Sequence, residues 1–332
     1  MKLLRTLLAA AAVTFAMSGA QAALATFQTF TGNVGLSSDG WGSTTQRGEI
    51  QAFVPVGATV LSAYLYTSTF GNTTLAGVGG TLAGGNVGPF TNLGTDPAVN
   101  FMTAGRSDVT SIIKPLIDGG PGGTYNFAVS ETSSSQDGYA LVVVYSLPSV
   151  PISSIFILDG FSVSAGDSAA ILLGTPVAAD FVGEMRLGIG YSFDGSDCSA
   201  SSQVSIVKVN GNTISNNAGC NDDSADVTAS NGNLITVGGN NDPFSPNLPT
   251  TAQDHERYDL KQYLSLGANS ITINTQNPSA DDNIFLAMFT VLGEANVCVN
   301  DCQVPEPMSL ALVGLALAGI GLQRRRLGIK RR

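Results

Sequence analysis

Apart from its carboxylates, this 332-residue chain has few residues able to do chemistry: one histidine and four cysteines beside 25 Asp and Glu. A single histidine, His255, excludes every site that needs two, and with it most catalytic zinc geometries. The stretch His255-Glu256-Arg257-Tyr258-Asp259 lacks the second histidine of an H-E-x-x-H motif. Asp254 and His255 could orient a serine distant in sequence, but a lone histidine in a polar stretch reads as solvated. Neither a G-x-S-x-G elbow nor a G-x-x-x-x-G-K-[ST] phosphate loop occurs. Carboxylate pairs suited to glycoside hydrolysis would arise by chance in a chain this acidic. The chain is therefore not expected to be an enzyme.

Hard oxygen ligands are better represented. Asp194 and Asp197, then Asp222, Asp223 and Asp226, then Asp281, Asp282 and Asn283, cluster in expected loops. Calcium takes about six to eight such oxygens, so structural calcium is the one cofactor these loops suggest. None has EF-hand spacing, and acidic loops also keep a lysine-poor protein soluble. Trp41, between Gly40 and Gly42, is expected to be exposed and is the candidate for stacking on a sugar ring. Tyr64, Tyr66, Tyr191 and Tyr258 are expected in the core or at its rim. Cys198, Cys220, Cys298 and Cys302 allow three pairings. Sequence proximity favours Cys198 with Cys220 and Cys298 with Cys302, and no C-x-x-C motif argues for redox or zinc chemistry.

The charge is unevenly spread. Lys2 and Arg5 open the chain, and Arg324, Arg325, Arg326, Lys330, Arg331 and Arg332 close it. Between them lie seven basic residues against all 25 carboxylates, a balance of −18. Such a body has no electrostatic footprint for nucleic acid. Residues 1–22 read as a signal peptide: the basic start, an apolar run from Leu7 to Met17, and Ala20-Gln21-Ala22 for cleavage before Ala23 by signal peptidase.

At the other end, Val304-Pro305-Glu306-Pro307 precedes Met308 to Leu322, fifteen residues without a charge. As helix they reach about 22 Å, short of a ~30 Å bilayer core unless the flanks help. Gln323 and the cluster Arg324, Arg325 and Arg326 follow, and arginines placed so stay cytoplasmic. This arrangement over 304–326 resembles the PEP-CTERM sorting signal of Gram-negative bacteria. The resemblance implies that Pro305, Glu306 and Pro307 are read by an exosortase. The C-terminal transmembrane sorting helix would then hold the chain in the inner membrane only transiently. It also implies a destination at the cell surface or in an extracellular polysaccharide matrix.

The body reads as β structure. Glu49–Val54, Thr59–Tyr66 and Ile155–Leu158 have strand patterns, and Asn210-Gly211 between Val209 and Thr213 is a hairpin turn. Tyr139 to Tyr145 is apolar without alternation, which predicts a strand buried on both faces. It is expected to begin after a loop containing Asp137. Two short helical stretches start alike, Arg106-Ser-Asp108-Val109 and Arg257-Tyr-Asp259-Leu260. Each is followed by a turn, an alternating strand, an acidic loop and a long apolar strand. The Asp in each would cap a helical turn, and the Arg would meet a carboxylate.

This weak repeat predicts an all-β fold of tandem β-sandwich or jelly-roll-like domains: 23–160 and 161–297, then a Cys-containing linker 298–303, the sorting signal 304–326 and a basic tail 327–332. One large jelly roll is the alternative. The stretch from Gly138 to Phe161 also resembles a core hairpin of bacterial surface β-sandwich proteins of uncharacterised role. The expected function is that of an exported structural or adhesive protein of the envelope or biofilm, with exosortase, signal peptidase, matrix polysaccharide and other surface proteins as partners. A calcium-assisted carbohydrate-binding module is the alternative, and an extracellular hydrolase comes third.

Overall fold

A computed structural model describes residues 24–42, 45–71, 74–96, 102–162, 165–191, 205–219, 234–250, 253–278 and 282–299. These all fall in one compact unit ending at Asn300. The first half of the chain forms β1 (Ala25–Gly32), β2 (Val34–Trp41), β3 (Arg47–Val54), β4 (Thr59–Thr69), β5 (Gly80–Leu82), β6 (Gly85–Val87), β7 (Thr91–Asp96), β8 (Met102–Asp108), α1 (Thr110–Ile117), β9 (Gly123–Glu131) and β10 (Gln136–Ser146). The second forms β11 (Ser153–Asp159), β12 (Ser168–Leu173), β13 (Gly183–Tyr191), β14 (Ser205–Val209), β15 (Asn212–Ala218), β16 (Ile235–Val237), β17 (Arg257–Asp259), a 3-10 turn (Leu260–Tyr263), β18 (Ser270–Gln276), β19 (Asp282–Leu292) and β20 (Ala295–Val299).

The strands form four antiparallel sheets stacked in layers. An outer sheet, β3-β9-β5-β6, covers an inner sheet, β2-β10-β4-β8-β7. Ile50, Phe127 and Val129 meet Leu65, Leu141 and Val143 between them. A second inner sheet, β1-β11-β19-β13-β16 with β17 also on β13, packs against the first. Tyr66, Ala140 and Val142 there meet Ile157, Phe285 and Met288. The second outer sheet, β15-β14-β18-β12-β20, closes the stack, with Val207, Ile271 and Ile273 against Leu187, Ala287 and Phe289. The absence of alternation in Tyr139–Tyr145 now has its cause. Odd residues Leu141 and Val143 face the outer sheet, and even residues Ala140, Val142 and Val144 face the other half.

The two halves repeat one connectivity. β2-β10-β4-β8 corresponds to β11-β19-β13-β17, and β3-β9-β5-β6 to β12-β18-β14-β15. α1 takes the place of the 3-10 turn. The sequence signs of the repeat have structural counterparts: Asp108 Oδ1 accepts from Thr110 N, and Asp259 Oδ1 from Lys261 N, each at 2.9 Å. Asp259 thus caps its helical turn, whereas the N-cap of α1 is Val109 and Asp108 stands one residue before it. The repeat is broken at β16, which bonds to β13 rather than to β17. The 160/161 division falls directly after β11, yet β1 and β11 hydrogen-bond into the sheet of the second half. Strand pairing therefore assigns Ala25–Gly32 and Ser153–Asp159 to the later sheet pair.

Local turn chemistry follows the sequence at the β14–β15 hairpin. Asn210 and Gly211 have φ of 49° and 78°, as a two-residue turn of this hand requires. Asp137 departs from its expected loop. It lies within β10 at a bulge, where the register slips between Gln136 and Gly138. Gly138, at φ 130°, makes the bulge possible; a Cβ there would lie 2.1 Å from the Trp41 carbonyl oxygen.

Because the two inner sheets share one apolar layer, the body is expected to unfold in one cooperative transition. Phe285→Ala, at a fully buried position in that layer, is expected to lower stability by about 3–5 kcal/mol in chemical denaturation while keeping a single transition. Two resolved transitions would show the halves to be independent.

Candidate functional site

Several charged side chains that enter this stack do so in bonded groups, two of them where the halves meet. Arg106 of β8 reaches across to Asp159 at the end of β11, and its guanidinium lies 3.3 Å over the Phe27 ring of β1. Tyr66 donates its hydroxyl to the same carboxylate at 3.1 Å. Burial pushes Asp159 up, with Arg106 pulling the other way.

A second group centres on Glu184 and Arg186, two residues apart and on one face of β13. Arg186 is 5% exposed, bonds Glu184, and donates to Ser38 Oγ at 2.8 Å and Asn240 Oδ1 at 2.6 Å. Arg257 grips Glu184 from β17 at 3.0 and 3.3 Å. Burial raises the Glu184 carboxyl, but Arg186 and Arg257 outweigh it and hold it below the usual range. Asn240 Oδ1 also accepts from Ser38 N at 2.9 Å, so β2 of one half is tied to the loop after β16 of the other.

Beside this tie lies an open cleft lined by Ser38, Asp39, Gln51, Phe53, Thr124, Asn240 and Asn241. Gln51 N donates to Asp39. Phe53 is 45% exposed at the rim. A partly exposed ring next to amides and hydroxyls can take a small polar ligand with an apolar face.

Two sets of buried carboxyls complete the inventory. In the second half, Asp254, Glu256 and Tyr258 are each fully buried. Tyr258 O–H lies 2.6 Å from Asp254 Oδ1 and 3.0 Å from Glu256 Oε2. One hydroxyl proton cannot serve two carboxylates, so one of the acids carries a proton. Asp254 also receives Ser215 Oγ and Ser245 Oγ, while Glu256 receives only Gly219 N at 2.8 Å besides the phenol. Burial, then the Asp254 charge, raises Glu256 well above the usual range, so Glu256 is the protonated partner. In the first half, Glu131 and Asp137 are buried with less help. Burial, then the Asp137 charge, pushes Glu131 up to about 9, and burial raises Asp137 far above its ordinary value.

The residues marked in the sequence fare differently. Trp41 is not exposed: it is 5% accessible and stacks on Tyr139, with ring centroids 6.3 Å apart. Its neighbouring strand makes room with Gly48, where a Cβ would lie 1.9 Å from the indole nitrogen. Tyr64, Tyr66 and Tyr258 are core residues. Asp282 is no loop ligand either; it opens β19, fully buried, and accepts from Ser205 Oγ at 2.6 Å. Cys298 lies on β20 and is disulfide-bonded.

Asp194, Asp197, Asp222, Asp223, Asp226, Asp281, Cys198, Cys220 and Cys302 lie outside the described residues. So do the cleavage residues Ala20, Ala22 and Ala23 and the sorting residues Pro305, Glu306, Pro307, Arg324, Arg325 and Arg326. Among the described residues no helix is long and apolar enough to cross a membrane.

The acidic groups Glu131–Asp137 and Asp254–Glu256 were not singled out by the sequence. For the second, alternation was the available signal: Asp254, Glu256, Tyr258 and Leu260 occupy every other position and are all buried.

The class is thus an all-β protein of stacked antiparallel sheets. Its particular identity comes from the C-terminus: residues 303–326 match the family model of the PEP-CTERM protein-sorting motif. The chain is an exported protein with a C-terminal anchor that an exosortase processes. No curated protein matches it. Among solved structures, the plant receptor-like kinase ANX2 aligns over 82% of this chain and 90% of that chain, at 7% identity and a TM-score of 0.23. That likeness carries no argument about the fold.

Two outcomes are expected. Trp41→Ala should cost about 3–5 kcal/mol of stability, because it empties a stacked core position. Native Trp41 emission should be blue-shifted and shielded from acrylamide; a red-shifted, readily quenched emission would place the indole in water. The second concerns pH. Glu131 and Glu256 hold protons more tightly folded than unfolded, where a glutamate titrates near 4.5. Their contribution is full below that value and is lost as pH rises towards about 9. In chelating buffer the melting temperature should therefore fall across that window, and Glu131→Gln should flatten the fall. A rising melting temperature over the same window would contradict the assignment.

Proposed function

We propose that this protein acts outside the cell as a non-catalytic structural or adhesive component of the surface or of a polysaccharide biofilm matrix, in a Gram-negative bacterium. The observation that carries the reading is the sorting motif at 303–326 behind a single compact β body. Arg106, Arg186 and Arg257 are engaged by Asp159 and Glu184, which keeps these charges out of contact with a substrate. The strongly acidic middle of the chain suits a soluble extracellular life. Pro305, Glu306 and Pro307 are the residues exosortase would read, and Arg324, Arg325 and Arg326 would hold the tail's end in the cytoplasm. Signal peptidase would act before Ala23. Disulfides Cys198–Cys220 and Cys298–Cys302 would form after export.

The cleft with Phe53 favours a second reading, carbohydrate binding. An exposed ring beside Gln51, Asn240 and Asn241 offers a stacking face and polar edges to one sugar unit.

One experiment separates these readings. The processed protein is recovered from its host and mixed with the host's own extracellular polysaccharide, and both sedimentation and polymer length are followed. Co-sedimentation with the polymer left intact is the expected result. Loss of binding in Phe53→Ala would assign it to the cleft, while undiminished binding would leave adhesion by another face. Shortening of the polymer would overturn the non-catalytic reading. In the same host Glu306→Ala is expected to keep the tail attached and the chain in the membrane fraction; unchanged release would remove Glu306 from the recognised motif.

A further inference from the structure

The two halves repeat one connectivity, and the repeat exposes a difference. Asp137 near the start of β10 corresponds to Asp282 at the start of β19. One step beyond the Ile206–Gln276 pair, Ser205 stands opposite Asn277; in the first half Gly80 pairs with Glu131. The second half thus gives its buried Asp a hydroxyl donor, Ser205 at 2.6 Å, and a neutral amide as neighbour. The first half replaces the hydroxyl with a glycine and the amide with a second carboxyl.

The consequence is a set of buried oxygens with nothing to bond. Among the described residues, both oxygens of Glu131, both of Asp137, Oε1 of Gln136 and Oγ of Ser68 have no hydrogen-bond partner. Asp137 is fully buried, Ser68 1% exposed, Gln136 2% and Glu131 9%. Gln136 spends its amide nitrogen on Thr67 Oγ1 at 3.2 Å, which leaves its oxygen over. The Ser68 hydroxyl and the Gly138 amide lie near enough to ease the two acids, but neither forms a hydrogen bond of proper geometry with them.

A shared proton does not resolve this. In the second half a phenol joins Asp254 and Glu256, each with further donors. No hydrogen bond joins Glu131 to Asp137, as one would if a proton were held between them. Leaving such groups bare costs several kcal/mol by general estimates for buried ions. Two negative charges and six unpartnered oxygens match what a hard divalent cation needs, and calcium accepts about six to eight oxygens in irregular geometry.

We propose that Glu131 and Asp137, completed by Gln136 Oε1 and Ser68 Oγ, hold a calcium ion at the bulge that begins β10. No group of three or more His, Cys, Asp or Glu among the described residues is arranged for a metal; this site rests on two carboxylates with an amide and a hydroxyl. It shares no residue with the Phe53 cleft. Its role is structural: the ion fastens the end of the outer sheet, through β9, to β10 and β4 of the inner one.

The test uses the full-length chain in detergent, stripped with chelator and titrated with calcium chloride alone. Calcium at about a hundredfold excess over Kd is expected to raise the melting temperature by roughly 5 °C. Glu131→Gln and Asp137→Asn should each abolish that shift. No shift in the wild type would overturn the proposal, and so would a shift that both variants retain, since the ion would then bind elsewhere. If the variants do not fold, terbium decides on the wild type. The chain has one tryptophan, and Trp41 stacks on Tyr139, two residues from Asp137. Terbium emission on selective tryptophan excitation, displaced by calcium, supports the site; its absence overturns it. None of these readouts depends on polysaccharide binding, so failure here leaves the proposed function standing.

Discussion

Everything in the body depends on an apolar layer shared by two sheets. A sheet with one apolar face can turn the other to water, but strands β10 and β19 are apolar on both faces. Each inner sheet must therefore be covered twice, once by its own outer sheet and once by the other half. Four layers follow from two such strands. The sharing also explains why β1 and β11, early in the chain, belong by hydrogen bonding to the later sheet pair.

Polar groups in a stack this thick must be settled internally, because water does not reach them. Three solutions occur side by side. Arg106 with Asp159, and Arg186 and Arg257 with Glu184, cancel charge against charge at the seam. Asp254 and Glu256 keep a proton and share a phenol. Glu131 and Asp137 have neither a countercharge nor a hydrogen bond of proper geometry among the described side chains, which is what points to an ion. Breaking a charge pair here leaves its partner buried and alone, so these groups fix how the layers register even where their net stabilisation is small.

The duplicated connectivity and the sorting tail answer different questions. The tail marks the chain as an exosortase substrate. The duplicated body carries the open cleft lined by Ser38, Asp39, Gln51 and Phe53. The halves differ at β16 and in their helical turns, and also at strand ends, where Gly80 and Glu131 stand in for Ser205 and Asn277. Such positions can change while the apolar layers stay the same.

Much of the architecture was legible in the sequence because it rests on local chemistry. Asn210-Gly211 makes its turn whatever surrounds it. Asp259 caps the turn that follows it, and an uninterrupted apolar run such as Tyr139–Tyr145 has to be buried on both faces. The sorting motif is read as linear sequence and needed no fold at all. Tertiary structure decided the rest. Trp41 sits between glycines that suggest exposure, yet Gly48 from the next strand opens a core pocket for it. Asp137 and Asp282 look like loop acids, and a bulge and a strand start carry them inside. Long-range strand pairing brings Arg106 to Asp159, 53 positions away, and Arg257 to Glu184, 73 positions away. Residue type sets what a side chain can do; burial and the neighbours brought by long-range pairing set its charge, and those are properties of the folded chain.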